Sequence, residues 1–101
     1  MGKIRWTDKA TSHLHSIFDY IAQDSKTYAI RFTKSLVKST QKLTSMPYCG
    51  RIVPEFEPLG FRELIYHNYR IVYRVIGPDQ DIEILAVVHG ARELHQGIEN
   101  D

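Results

Sequence analysis

The side chains best suited to chemistry lie in the second half of the chain, where arginine carries all of the positive charge. No lysine occurs beyond Met46. The cations of that half are Arg51, Arg62, Arg70, Arg74 and Arg92. Arginine keeps its charge at any working pH and offers a planar fork that matches phosphate or carboxylate. Arginines placed on a rigid sheet therefore indicate a site that recognises an anion.

The chemistry that fits this set is transfer at a phosphodiester. Attack by a ribose 2′-hydroxyl on the neighbouring phosphate needs in-line alignment, proton transfers, and positive charge on the non-bridging oxygens. Arg70 and Arg92 are predicted to supply the charge. His89, His67 or Tyr66 are predicted to supply the proton transfers, and an imidazole suits this role because its charge changes near neutral pH. These five residues form the predicted catalytic set.

The remaining arginines of this half are predicted to bind the substrate. Arg62 and Arg51 would complete an anion cradle around the catalytic set. Arg74 joins them because it shares a predicted strand with Arg70. A structural interpretation stays open beside this one, since arginines in small sheets often pair with nearby acids. The acids available for such pairs are Glu63, Glu83 and Glu93.

Composition excludes several classes of protein. At 101 residues, with 43% hydrophobic and 25% charged residues, the chain is expected to form one small domain over residues 1–101. No apolar run approaches the roughly 18 to 20 residues of a membrane span, and the N-terminus shows no signal-peptide pattern. The lone Cys49 excludes an internal disulfide, and no Cys or His spacing suits zinc. We therefore expect a cytoplasmic protein that needs no membrane, metal or cofactor.

The charge is distributed unevenly along the chain. Residues 1–46 hold eight cations and three acids, whereas residues 47–101 hold five cations and nine acids. Four cations of the first half recur at helical spacing: Arg31, Lys34, Lys38 and Lys42. On a helix they form one basic face, which either meets nucleic acid or an acidic protein or is simply solvated.

Two helices are predicted ahead of the arginine-rich half. After a short strand predicted over KIRW, residues 3–6, Thr7 is predicted to cap a helix that runs to about Gln23. Ser25 caps a second helix, which Pro47 ends. The second helix has a core stripe of Ala29, Phe32, Leu36, Thr40 and Leu43. The first helix carries two histidines that are expected to be solvated, His13 and His15.

The hydrophobic period changes from 3.6 to 2 in the second half. Residues 47–60 are predicted to form a loop, because proline and glycine punctuate them. Three strand-like runs follow: residues 62–67, 69–76 and 82–89. Alternate residues of the middle strand share a face: Tyr69, Ile71, Tyr73 and Val75 on one side, Arg70, Val72, Arg74 and Ile76 on the other. The predicted fold is α+β, with two antiparallel N-terminal helices packed on one face of a small, mainly antiparallel β-sheet and a frayed tail at residues 93–101.

Taken together, these motifs resemble the toxins of bacterial and archaeal type II toxin–antitoxin modules, the RelE/ParE superfamily. The likeness covers nearly the whole chain: WTDKA with IFDYIAQDS, then PYCGRIVPEF, RELIYHNYRIVYRV and VVHGAREL. The NYRIVYRV strand followed by VHGAREL is the most specific part. The resemblance implies the fold given above. It also implies a partner, an antitoxin encoded by an adjacent gene, whose C-terminal segment wraps and neutralises the toxin.

Within this superfamily more than one activity stays open. RelE-like members cut mRNA in the ribosomal A site without a metal, and Arg70 (in YRIVY) and Arg92 (in GARE) match RelE active-site arginines. RelE's lysine pair is missing at residues 62–64, and no tyrosine after Tyr73 matches its catalytic C-terminal tyrosine. ParE-like members instead inhibit DNA gyrase and lack the nuclease residues. The two motif arginines favour a ribosome-dependent mRNA endoribonuclease, with a gyrase inhibitor as the alternative and a weakly toxic, plasmid-stabilising relative as a third possibility.

Overall fold

Two helices pack on one face of a five-stranded sheet in the computed structural model, which describes residues 2–90. The elements, in chain order, are β1 (Ile4–Trp6), α1 (Asp8–Ala22), α2 (Lys26–Ser39), β2 (Arg51–Ile52), β3 (Arg62–Tyr66), β4 (Tyr69–Ile76) and β5 (Asp81–His89). The strand order is β1-β5-β4-β3-β2, with β1 parallel to β5 and the other neighbouring pairs antiparallel. The predicted α+β class is confirmed. The predicted tail lies outside the described residues.

Both helices begin where the sequence places a capping side chain. The Thr7 hydroxyl accepts a hydrogen bond from the Ala10 N–H at 3.1 Å. The Ser25 hydroxyl accepts one from the Tyr28 N–H, also at 3.1 Å. Each bond satisfies a backbone donor that a helix start leaves without a partner. The Thr7 hydroxyl also donates to the Ile84 carbonyl at 2.9 Å, which ties the start of α1 to β5. Within residues 2–90, no helix is both long and apolar enough to cross a membrane.

The end of α2 differs from the prediction. The sequence predicts a helix up to Pro47, but α2 ends at Ser39 and the chain tightens into a 3₁₀ segment, Gln41–Thr44. The hydroxyls of Ser39 and Thr40 donate to carbonyls of the preceding turn at 2.6 and 2.7 Å. Such bonds compete with the α-helical ladder and favour a tighter turn. Leu43 is nevertheless fully buried, so the predicted core stripe is kept although the helix is not.

The main core lies between the helices and the inner face of the sheet. It is built from Ala10, Ile17, Phe32, Leu36, Leu43, Leu64, Ile71, Tyr73, Ile82, Ile84 and Val87. Alternation along β4 places Ile71 and Tyr73 in this core. The same alternation turns Arg70 and Val72 to the opposite face, which is called the outer face below. The predicted division of β4 into two faces is therefore confirmed.

A smaller hydrophobic cluster lies on the outer face under residues 53–61, called the covering segment below. Its members are Val53, Phe56, Phe61, Val72, Leu85, Ala86 and Val88. The sequence predicts a loop over residues 47–60, but this stretch forms β2 and a 3₁₀ segment, Pro54–Leu59, that covers the sheet. Proline and glycine punctuation did not reveal that Val53, which is fully buried, and Phe56 dock on the strands.

Tyr73 fastens the chain ahead of β2 to the sheet. Its ring is fully buried, and its hydroxyl accepts a hydrogen bond from the Gly50 N–H and donates one to the Pro47 carbonyl, both at 2.9 Å. Gly50 leaves no room for a side chain, since a Cβ there would lie 2.6 Å from the Tyr73 hydroxyl oxygen. Burial raises the pKa of Tyr73 above its ordinary value of 10.0.

We predict that Tyr73→Phe lowers the free energy of unfolding by about 1 to 3 kcal/mol, because the buried Gly50 N–H and the partly buried Pro47 carbonyl lose their partner. Urea denaturation measures this change, and Tyr20→Phe, at a residue 70% exposed, is the matched control. The hydroxyl must be protonated to donate. Because its pKa is raised in the folded state, its contribution is complete below the ordinary pKa and is lost as the pH rises through the raised one. Equal stability of Tyr73→Phe and the wild type would contradict this role.

Candidate functional site

The outer face of the sheet carries its charges in two clusters of arginine and glutamate. Strand pairing puts six charged residues there: Arg70 and Arg74 of β4, Glu63 of β3, Glu83 of β5, Arg51 of β2 and Arg5 of β1. Arg74 lies directly opposite Glu83 in the register of β4 and β5. The covering segment adds Glu55. Rigid strands thus position most of the charged groups, and a single 3₁₀ segment supplies the other.

The first group, called the Arg70 cluster, comprises Arg51, Glu55, Glu63 and Arg70. The Arg70 Nε–H donates to Glu63 Oε1 at 2.6 Å. Its Nη1 and Nη2 donate to Glu55 Oε2 and Oε1 at 3.0 and 3.1 Å. Arg51 Nε donates to the other oxygen of Glu63. All three nitrogens of the Arg70 guanidinium therefore bond to carboxylates, and the pair with Glu55 has the two-pronged geometry of a strong ion pair.

The members of the Arg70 cluster differ in burial. The side chain of Glu63 is 0% exposed and that of Arg70 is 9% exposed, whereas that of Glu55 is 37% exposed. The hydrogen bonds to Glu55 and Glu63 raise the pKa of Arg70 further above its already high value, against the opposing effect of burial. The hydrogen bond from Arg70 lowers the pKa of Glu55. Arg70 and Glu55 therefore both stay charged at neutral pH.

The second group, called the Glu83 cluster, comprises Arg5, Arg74 and Glu83. Arg74 Nε donates to Glu83 Oε1 at 2.7 Å, and Arg5 of β1 pairs with the other carboxylate oxygen. The cluster joins β1, β5 and β4 through one buried acid. The sequence predicts that Arg74 binds the substrate, but in the structure it forms an ion pair with Glu83. This agrees with the alternative that arginines of the sheet pair with nearby acids.

Arg62 lies on the inner face, since it is paired with Tyr73 across β3 and β4. Its Nη1 donates to the carbonyls of Tyr48 and Gly50 at 3.0 and 2.8 Å. Its guanidinium carbon lies 5.2 Å from the centre of the Tyr48 ring. Arg62 therefore holds the chain ahead of β2, and the structure does not bring it together with Arg51 into the predicted anion cradle.

A cleft opens at the end of the sheet where β3 turns into β4 and β5 ends. Its volume is about 350 Å³, and it is lined by Ile65, His67, Asn68, Tyr69, Arg70, His89 and Gly90. The structure thus brings together three residues of the predicted catalytic set: Arg70, His67 and His89. Imidazoles can move protons and a guanidinium can hold an oxyanion, but here the Arg70 guanidinium is bound by Glu55 and Glu63.

Among the described residues of the predicted catalytic set, Tyr66 does not line this cleft. The ring of Tyr66 packs on Phe32 in the core, with 5.4 Å between the ring centres. Arg92 lies outside the described residues. Among residues 2–90, no group of three or more His, Cys, Asp and Glu side chains is arranged to hold a metal ion.

The two histidines that line the cleft each pack against a tyrosine ring. The sequence places His67 as the last residue of a strand, but β3 ends at Tyr66 and His67 begins the turn with φ of 53°. A two-residue hairpin turn favours positive φ at this position, which explains the earlier strand end. His67 packs edge-on against Tyr66, with ring centres 4.5 Å apart, and His89 packs edge-on against Tyr69 at 5.8 Å. Both histidines are exposed.

Sequence reasoning missed two residues that matter here. Glu55 was treated as part of a loop, although an acid that follows a buried Val53 on a short 3₁₀ segment is within reach of the outer face. His13 was expected to be solvated, but its Nδ1 accepts a hydrogen bond from the Val87 N–H at 3.1 Å and ties α1 to β5. No local pattern signals that second contact, since 74 residues separate the partners.

The fold matches that of chains from type II toxin–antitoxin systems. Eleven chains of solved structures match this one. One, from "Chromosomal ParDE TA system from P. aeruginosa", has a TM-score of 0.74 and 26% identity over 88% of this chain and 96% of that one. Another, from the toxin–antitoxin complex RelBE2 of Mycobacterium tuberculosis, has a TM-score of 0.65 and 22% identity over 87% of this chain and 96% of that one. The second likeness shows the fold alone.

The amino-acid sequence identifies the family within this superfamily. A family model described as the ParE toxin of the type II toxin–antitoxin system parDE matches residues 4–94. No curated protein sequence matches the chain. The chain therefore belongs to the ParE toxin family, and its predicted membership of the RelE/ParE superfamily is confirmed.

We predict that Glu63→Gln lowers the free energy of unfolding by about 1 to 3 kcal/mol, because the buried Arg70 guanidinium loses one of its two carboxylate partners. Urea denaturation at pH 7 measures the loss. Glu57→Gln removes the same charge from an exposed residue of the covering segment and should change stability by no more than about 0.5 kcal/mol. Equal effects of the two variants would show that the Glu63 ion pairs do not stabilise the fold.

A second prediction concerns acid. Because Arg70 lowers the pKa of Glu55 in the folded state, the ion pair stabilises the fold fully above the ordinary pKa of 4.5, and this is lost as the pH falls through the lowered pKa. The wild type should therefore exceed Glu55→Gln in stability at pH 7, by no more than about 1 kcal/mol at so exposed a carboxylate. The difference should vanish in acid. A difference that stays constant from pH 7 to pH 3 in urea titrations would contradict this assignment.

Proposed function

We propose that this chain is a toxin that arrests growth by acting on DNA gyrase, in the manner of ParE-like members, and that it does not cut RNA. The observation that carries the proposal is the state of Arg70. This residue matches a RelE active-site arginine by motif, yet all three of its guanidinium nitrogens bond to Glu55 and Glu63. While Glu55 and Glu63 hold the guanidinium, its Nη edge is closed to a scissile phosphate, and binding one would require Glu55 to leave.

Two further observations support a ParE-like activity. The family model that matches residues 4–94 is that of the ParE toxin. The chain also departs from the RelE pattern, with no lysine at residues 62–64 and no tyrosine after Tyr73. In this proposal the outer-face arginines are structural, because the Arg70 and Glu83 clusters use them to join neighbouring strands.

The proposed partner is an antitoxin encoded by an adjacent gene. The structures from P. aeruginosa and M. tuberculosis come from ParDE and RelBE2 toxin–antitoxin systems, which supports a partner of the same kind. We further propose that residues 1–101 act as a single toxin domain in the cytoplasm. The antitoxin's C-terminal segment would wrap this domain and neutralise it.

A second candidate function is ribosome-dependent cleavage of mRNA by metal-independent transesterification. The cleft favours it, because Arg70, His67 and His89 line one space of about 350 Å³. In this scheme Arg70 and Arg92 would stabilise the phosphate charge, and His89, His67 or Tyr66 would move the protons. The scheme requires Glu55 to leave Arg70 when the substrate binds.

One preparation of the toxin, divided between two assays, separates the candidates. Translating ribosomes with mRNA are incubated with the toxin in one tube, and gyrase with relaxed plasmid in the other. We expect blocked supercoiling or gyrase-linked cleaved DNA, with intact mRNA. Cleavage of mRNA that depends on ribosomes, with gyrase unaffected, would overturn the proposal.

A matched pair of variants sharpens this test. Arg70→Gln removes the motif arginine, and Arg74→Gln removes an outer-face arginine that does not line the cleft. Circular dichroism first shows that both variants are folded. A gyrase inhibitor should keep its activity in both folded variants. An endoribonuclease should lose activity in Arg70→Gln alone.

A further inference from the structure

The Arg70 cluster contains an anion-binding edge that the chain itself occupies. Nη1 and Nη2 of Arg70 hold the two oxygens of Glu55 at 3.0 and 3.1 Å, the geometry in which a guanidinium binds a foreign carboxylate or phosphate. The two glutamates of the cluster differ in burial. Glu63, on the Nε side, is 0% exposed, whereas Glu55 is 37% exposed and open to competition from solvent.

The segment that carries Glu55 is held to the sheet by residues other than Glu55. Its turns are closed by local hydrogen bonds, from Phe56 N–H to the Val53 carbonyl at 3.1 Å and from Gly60 N–H to the Glu57 carbonyl at 3.0 Å. The backbone bends sharply at Phe56, with φ of −128° and ψ of 35°. Val53, by contrast, is fully buried and bonds through its N–H to the Phe61 carbonyl at 2.9 Å. Both ends of the covering segment are therefore held while Glu55 lies between them.

The charges favour an incoming anion once Glu55 has left. Two arginines and two glutamates balance within the Arg70 cluster. Without Glu55 the cluster carries one net positive charge, beside a cleft that His67 and His89 also line. Arg70 itself would keep its orientation, because Glu63 still holds its Nε–H.

We propose that Arg70 and the adjoining cleft form a binding site for an oxyanion that Glu55 closes from within, so that a phosphate or carboxylate group binds by displacing Glu55. This inference goes beyond the proposed function and does not depend on the toxin's target. A tethered carboxylate competes at an effective concentration in the millimolar range, so free anions bind the wild type weakly. Removing the tethered carboxylate should strengthen their binding by at least about tenfold.

The test follows the Nε–H signal of Arg70 by ¹H–¹⁵N NMR during titration with inorganic phosphate or with acetate, at constant ionic strength and pH 7. Three proteins are compared: wild type, Glu55→Gln and Glu57→Gln. We expect a saturable shift in Glu55→Gln with a Kd at least about tenfold below that of the wild type, and Glu57→Gln should behave as the wild type. Saturation with phosphate alone identifies a phosphate ligand, and saturation with acetate alone a carboxylate.

Equal affinities in Glu55→Gln and Glu57→Gln would overturn the proposal, because only the general loss of a negative charge would then matter. Absence of a saturable shift in all three proteins would overturn it as well. The wild type offers a second measurement that needs no variant. Displacement of Glu55 should change the ¹³C signal of its side-chain carboxylate as phosphate or acetate is added, and binding without such a change would contradict displacement. Neither ribosomes nor gyrase are present, so failure here is distinct from failure of the proposed function.

Discussion

The outer face of this protein depends on one buried carboxylate, that of Glu63. An isolated charge in such a place is strongly unfavourable, so the fold must supply compensating cations. Arg51 does so from β2 and Arg70 from β4, on either side of β3. The ion pair with Arg51 holds the two-residue strand β2 against β3. The ion pair with Arg70 fixes the direction of the Arg70 side chain. Once Arg70 is fixed, its free edge determines where Glu55 can bind.

The covering segment follows from the same constraint. Its apolar residues bury Val72 and Val88, and its acid completes the coordination of Arg70. Hydrophobic contact alone would hold the segment without a particular register, whereas the two-pronged ion pair demands that Glu55 lie at one position. Packing and electrostatics therefore agree on a single arrangement, which is the condition for a well-defined structure in so small a sheet.

Sequence patterns predicted the parts of this structure that local chemistry decides. The caps at Thr7 and Ser25 and the alternation of β4 each depend on residues close together in the chain. The predictions failed where a contact joins residues that are far apart in the sequence. Glu55 meets Arg70 across 15 residues, and no local period distinguishes that acid from its exposed neighbour Glu57. For the candidate site, the sequence therefore identified the arginines but not the glutamates that bind them. Those ion pairs form only when the folded chain brings distant residues together.

These ion pairs also explain part of the uneven charge of the chain, whose first half is basic and whose second half is acidic. The acids of the second half are not merely a solvated surface, because Glu55, Glu63 and Glu83 neutralise arginines on the same face. The cations of α2 and the 3₁₀ segment after it remain exposed, and within residues 2–90 no ion pair involves them: Arg31, Lys34, Lys38 and Lys42.

The positive potential that the described part of the toxin presents to a partner therefore comes from its helical side, while the sheet side is locally balanced. A RelE-like nuclease would need the opposite distribution, with open cations around the cleft where RNA is cut. The same superfamily fold can serve either activity, because function depends on the site and not on the scaffold. In this chain Glu55 and Glu63 hold the Arg70 guanidinium, which joins the covering segment to the sheet and supports the proposed ParE-like activity.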